Sequence, residues 1–137
     1  MAIAILSPVL PIAQVDLLAQ AAAVAATTLF TPPVSGLYQV NISLRITQKA
    51  TTSSTLGGIT FVFTDPDDSS SQSVVAQLDA VGGTAAVSST VNTIAITLNG
   101  RVCFNAKAGV AVTYAIAYVS SGATPMQYSA HLVVRPG

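Results

Sequence analysis

Polar and apolar residues alternate most cleanly between Phe30 and Ile46, in the stretch FTPPVSGLYQVNISLRI. Tyr38, Val40, Ile42, Leu44 and Ile46 fall on one face of an extended chain, and Gln39, Asn41, Ser43 and Arg45 on the other. This is the signature of a half-buried strand. Pro32, Pro33 and Gly36 stand before it, and because proline fixes φ and lacks an amide donor, the strand is expected to begin sharply near Leu37. The same period returns further on. Ile59, Phe61 and Phe63 alternate with Thr60, Val62 and Thr64; Ile94, Ile96 and Leu98 with Thr93, Ala95 and Thr97; and Val110, Val112, Tyr114, Ile116 and Tyr118 with alanine and threonine. Met126, Tyr128, Ala130, Leu132 and Val134 form the last such series, opposite Gln127, Ser129 and His131, and Ser73 to Leu78 is a shorter candidate.

Turn chemistry separates these runs. The polar tract Thr47 to Gly58 reads as a long hairpin connection or a strand frayed at its end, and Asp65-Pro66-Asp67-Asp68 as a turn in which carboxylates accept local amides. Ala80 to Ser89 is a small-residue connection. Asn99-Gly100 is a two-residue hairpin signal from which Arg101 to Phe104 would lead the chain back. Further turns are expected at Lys107-Ala108-Gly109 and from Ser120 to Pro125. Asp16 to Ala26, DLLAQAAAVAA, supports two readings: a helix capped by Asp16, or a strand from about Ala22 to Phe30 pairing beside the opening stretch. Short strands punctuated by turns along the whole length predict an all-β fold, an antiparallel jelly-roll β-sandwich.

The opening residues do not fit that rhythm. Met1 to Ala13 is apolar, yet Pro8 and Pro11 prevent a continuous helix, and no lysine or arginine occurs before Arg45. A secretory leader needs a basic start and a membrane span about twenty apolar residues, and neither is met before Gln14 and Asp16. The expectation is an extended apolar N-terminal arm, residues 1–26, preceding a domain at residues 27–137. Ile3, Ile5, Leu6, Val9, Leu10 and Ile12 would pack on a neighbouring subunit.

Composition narrows the function. The 137 residues suit one core, and hydrophobic residues make up 51% against 7% charged, far below the usual share of about 25%. Part of the surface is therefore expected to face protein rather than water. Net charge is zero, so no basic field exists to hold a phosphate backbone, and nucleic acid is not an expected direct partner. Glutamate is absent, which removes most paired-carboxylate chemistry, and His131 is the only imidazole. Cys103 is the sole cysteine; it can form neither an intrachain disulfide nor a cysteine zinc cluster, and the run VCF marks it as core filler. Serine, histidine and aspartate all occur, but no GxSxG elbow supports a triad. Asp65, Asp67 and Asp68 lack the ligand series of a calcium loop. No catalytic, cofactor or metal site is expected. Tyr114, Tyr118 and Tyr128 suggest either a sugar-stacking platform or, since they share faces with Val112, Ile116 and Leu132, core or subunit-interface residues.

Several segments resemble known families. LFTPPVSGLYQVNISLRI resembles the core-strand signature of the complement globular-head and tumour necrosis factor type of jelly roll. FNAKAGVAVTYAIAYV is similar to the later hairpin of that family and YSAHLVV to its closing strand, so the resemblance covers most of residues 27 to 134. RITQKATTSS with FVFTD, and the ending SSGATPMQYSAHLVV, look like small β-domains of tailed-phage virion proteins. The resemblance implies a homo-oligomer, usually a trimer packed around a threefold axis. For function it implies a virion protein decorating a phage capsid, with the major capsid protein or another virion protein as partner and no membrane. The alternative is a receptor- or glycan-binding fibre or tail tip.

Overall fold

A computed structural model describes residues 11–76, 78–80, 85, 86, 89, 90 and 97–137. Eleven strands account for most of them: β1 (Ala13–Gln20), β2 (Val24–Phe30), β3 (Gly36–Gln48), β4 (Ser53–Thr64), β5 (Ser71–Ala76), β6 (Leu78–Ala80), β7 (Ala85–Ala86), β8 (Ser89–Thr90), β9 (Thr97–Ala106), β10 (Val112–Ser121) and β11 (Gln127–Pro136). One sheet has the order β1-β11-β3-β9-β6-β7 and the other β2-β10-β4-β5, with β8 paired to β4. Every pairing is antiparallel. Consecutive strands mostly alternate between sheets, which makes this the expected jelly-roll sandwich.

The alternation in β3 dictates where the core lies. Tyr38, Val40, Ile42, Leu44 and Ile46 point inward and are buried, in register with Val134, Leu132, Ala130 and Tyr128 of β11 and with Leu98, Val102 and Phe104 of β9. Leu56, Ile59 and Phe61 of β4 and Val112, Tyr114 and Ile116 of β10 close the core from the opposite sheet. Burying each large apolar side chain stabilises the fold by about 1.5–3 kcal/mol. β3 and β11 therefore share one wall, and Val112 to Tyr118 belongs to the other.

Four local expectations are corrected. Asp16 to Ala26 contains no helix: Ala13, Val15 and Leu17 alternate inward, and their pairing with Val134, Leu132 and Ala130 outweighs alanine's helix propensity. The strand reading is met at Val24–Phe30, although β2 pairs with β10 rather than with the opening stretch. Residues 13–26 thus lie largely within the sandwich, so an arm can extend only before Ile12. For the tract Thr47 to Gly58 the hairpin reading fails and the strand reading is met, since β3 continues to Gln48 and β4 begins at Ser53 in the other sheet.

Asn99-Gly100 is not a hairpin. Both lie inside β9, where Gly100 pairs with Ile42 on one side and Leu78 on the other, and neither takes the positive φ that a type I′ turn needs. Neighbouring strands on both flanks hold the pair extended. The turn at Lys107-Ala108-Gly109 is present, with Gly109 at φ +78°, but it carries the chain from one sheet to the other instead of joining a hairpin. Ile94 and Ile96 of the expected strand, and Gly82-Gly83 of the small-residue connection, lie outside the described residues.

Two loops behave as their sequences dictate. Asp65 Oδ1 accepts the Asp67 amide at 2.8 Å and Asp68 Oδ1 the Ser70 amide at 2.9 Å, so these carboxylates close the β4–β5 turn. At the other end of the sandwich, Gly122 sits at φ +106°, and an added Cβ would lie 2.7 Å from Thr51 Cβ and 2.8 Å from the Thr52 nitrogen. Gly122→Ala is expected to lower stability by about 1–3 kcal/mol through backbone strain and this clash, read as a lowered urea midpoint with unchanged slope. An unchanged midpoint would show that the loop can move aside.

Candidate interaction surfaces

The three tyrosines belong to the core of the sandwich. Tyr114 and Tyr128 are buried, and Tyr118 is half-buried against the same core. The Tyr118 and Tyr128 rings lie 5.8 Å apart at 36°. Each hydroxyl of that pair finds a backbone acceptor: Tyr118 donates to Met126 O at 2.7 Å and Tyr128 to Ala22 O at 2.9 Å. This corrects both surface readings of Tyr114 and Tyr128, since a ring enclosed between two sheets offers no face to a sugar or a second subunit. Inward phase on β10 and β11 was legible in the sequence; that the opposing sheet covers it was not.

Burial also shapes their acidity. Desolvation pushes the Tyr128 hydroxyl up to about 12, with Tyr118 and Tyr114 adding smaller contributions, and burial raises Tyr114 as well. For Tyr128 the folded state disfavours the phenolate, so its contribution to stability is complete below the ordinary value of 10.0 and declines as pH rises from there toward about 12. An ultraviolet titration is expected to show a tyrosine resisting ionisation until the chain unfolds. Tyr128→Phe should shrink that step to the part that Tyr114 contributes, and an undiminished step in the variant would reassign it.

The outer face of the β1-β11-β3-β9 sheet holds the histidine. Asp16, His131, Ser43 and Asn99 occupy one cross-strand row, and His131 Nδ1 lies 2.6 Å from Asp16 Oδ1. The imidazole and Gln14 hold the Asp16 carboxyl below its usual range by hydrogen bonding. Serine, histidine and aspartate are thus neighbours, as the composition alone left open. The row lies on an open sheet, with both ion-pair partners close to half exposed; β11 and β3 are paired on both sides, while β1 under Asp16 is the edge of the sheet. Acyl transfer needs free donors aimed at a developing oxyanion. Cys103 also lies on this face, exposed and opposite Gln39, because Val102 and Phe104 take the inward positions; the core-filler expectation is corrected.

The other outer face is different in kind. Thr113, Val62 and Ser73 form one row across β10, β4 and β5, and Ala115, Thr60 and Val75 the next, with Val119 and Thr55 beyond. Among the described residues of these rows none is charged, whereas Asp16, Arg45, Arg101 and Arg135 all lie on strands of the first sheet.

Four of the eight large apolar residues exposed among the described ones lie at one end of the sandwich, beside Lys107 and the Asp65–Asp68 turn. Loops 31–35 and 107–111 meet there through Gly109 N to Pro32 O at 2.9 Å and Ala108 N to Ser35 Oγ at 2.8 Å, and Gly137 N bonds Leu37 O at 2.8 Å. Val34 and Leu37 are 67% and 62% exposed, with Val110 and Ile12 also open to solvent. Ile12 donates its amide to Val134 O at 2.7 Å, so the start of β1 lies at this same end. Ile3, Ile5, Leu6, Val9 and Leu10 themselves lie outside the described residues.

No protein-family model and no curated protein sequence matches the chain. Among solved structures it is similar to a chain of the T13 viral particle of IBDV, with a TM-score of 0.52, 14% identity, and coverage of 90% of this chain and 30% of that one. It is also similar to a chain from the Gx strain of infectious bursal disease virus, at TM-score 0.39 and 15% identity over 94% of this chain and 32% of that one. A third likeness is to the CBM22-1–GH10 modules of Clostridium thermocellum endo-1,4-β-D-xylanase 10B, at TM-score 0.44 and 14% identity over 83% and 19%. The chain thus spans only 19% to 32% of the length of these proteins. At such identities the first likeness concerns the sandwich fold alone.

Proposed function

We propose that the protein is a non-enzymatic virion structural protein, a subunit that associates with copies of itself as a trimer and decorates a bacteriophage capsid through its major capsid protein or another virion protein. The observation that carries the reading is the surface: a jelly roll with one uncharged outer sheet face and a cluster of exposed apolar residues at one end. Such a surface gains more from protein contact than from water, while the lack of basic charge gives nucleic acid or an anionic membrane nothing to hold. The fold shared with a chain of the IBDV particle supports the virion setting. The open sheet face on which Asp16 and His131 lie, both close to half exposed, supports the absence of catalysis.

Weak contacts from each subunit would add through effective concentration, so a trimer would bind a lattice far more tightly than one subunit does. The test is cosedimentation of purified chain with capsids lacking it. Saturable binding in multiples of three is expected. A stable monomer that fails to bind such capsids would overturn the reading. With Tyr114 and Tyr128 enclosed, the alternative of a glycan-reading tip loses two of its three tyrosines and rests on the Ser/Thr-rich loops.

A further inference from the structure

We propose that the apolar end of the sandwich is the receptor for residues 1–10 of a second copy of the chain, so that subunits are joined by exchanged arms. The inference rests on the reading of the protein as a self-associating subunit and names the surface through which it associates. Val34, Leu37, Val110 and Ile12 supply the exposed apolar area at that end. The segment before Pro11, MAIAILSPVL, is apolar at most positions and carries no charged side chain. An apolar segment and an apolar end at one edge of the domain are chemically matched, and neither is satisfied by water.

Direction favours a second copy over the chain's own end. Ile12 still hydrogen-bonds to β11, so the chain there runs in line with β1 and points past the last rung of the sheet. Leu10 and Ser7 each precede a proline, which biases both to extended conformations. Five residues in extended form span about 16 Å, so an arm that kept the direction of β1 would clear its own end and reach that of a neighbour. Such a contact is heterologous, arm to end, and repeated about a rotation axis it closes a ring of copies.

Complementation between full-length variants tests the exchange. Leu6→Asp with Leu10→Asp disables the arm, and Val34→Asp with Leu37→Asp disables the end; folding of each is checked by circular dichroism. By sedimentation, native chain is expected to assemble and either variant alone to dissociate, its dissociation constant raised by about tenfold or more. Mixed in equal amounts, the two variants should recover a complex containing both, because one intact arm meets one intact end. An end variant that assembles like native chain, a mixture that recovers nothing, or a monomeric native chain would overturn the proposal. Should the double end variant fold poorly, Leu37→Asn alone provides the same comparison at a side chain already exposed. Assembly through this contact without capsid binding would remove the decoration reading and leave the exchange standing.

Discussion

Phe104→Ala is expected to lower the free energy of unfolding by about 3–5 kcal/mol, enough to bring a domain of ordinary stability close to unfolding. Phe104 is 4% exposed and sits at the junction of both sheets. Its ring lies 4.9 Å from Phe63 in a stacked arrangement, 6.1 Å from Phe61 and 6.4 Å from Phe30, so one side chain of β9 meets aromatic residues of β4 and β2. Truncation leaves a cavity whose walls belong to three strands already held in their ladders, so little collapse can fill it. Chemical denaturation should show a lower midpoint with the slope preserved. Phe104→Leu, which keeps most of the volume, should recover a large part of the loss. A Phe104→Ala midpoint within error of the native one would mean that the aromatic cluster does not tie the sheets together.

Tyr128→Ala is expected to cost a similar amount, about 3–5 kcal/mol, at the opposite end of the core. The ring is fully buried, packs on Tyr118, and anchors its hydroxyl to the Ala22 carbonyl in the β1–β2 connection. Tyr128→Phe separates the contributions: it keeps the packing, removes the hydrogen bond, and should cost about 1 kcal/mol. Because the lost bond tethers residues 21–23, amide exchange in β1 and β2 should rise in the Phe variant before global stability changes much. Equal losses in the two variants would mean that the hydrogen bond, rather than the ring, dominates.

How far the chain could be read in advance depended on whether a feature is set by near neighbours in sequence. β3 was legible because its five inward residues alternate without a break and its Pro-Pro-Gly approach stops anything helical. The β4–β5 turn was legible because Asp65 and Asp68 act on amides two residues away. Asn99-Gly100 misled for the opposite reason: its turn preference is local, and pairing with Ile42 and Leu78, distant in sequence, overrides it. β1 misled in the same way, since alanine and leucine favour a helix until β11 supplies a partner. Cys103 was misplaced because VCF is uniformly apolar, and only the phase of β9 shows which two of the three residues face inward.

The candidate surfaces divide along the same line. An excess of apolar residues over charge announced that some surface would need covering, but not where. Topology brings Ile12, Val34 with Leu37, and Val110 from three separate stretches to one end, and sets Asp16 beside His131 across 115 residues. The sequence by itself determined an all-β sandwich, the inward face of its central strand and the scarcity of catalytic groups, because period and composition are carried by the chain alone. Only the tertiary structure decided that the tyrosines are core, that residues 13–26 belong to the domain, and which end lies open, because burial depends on what a distant strand covers.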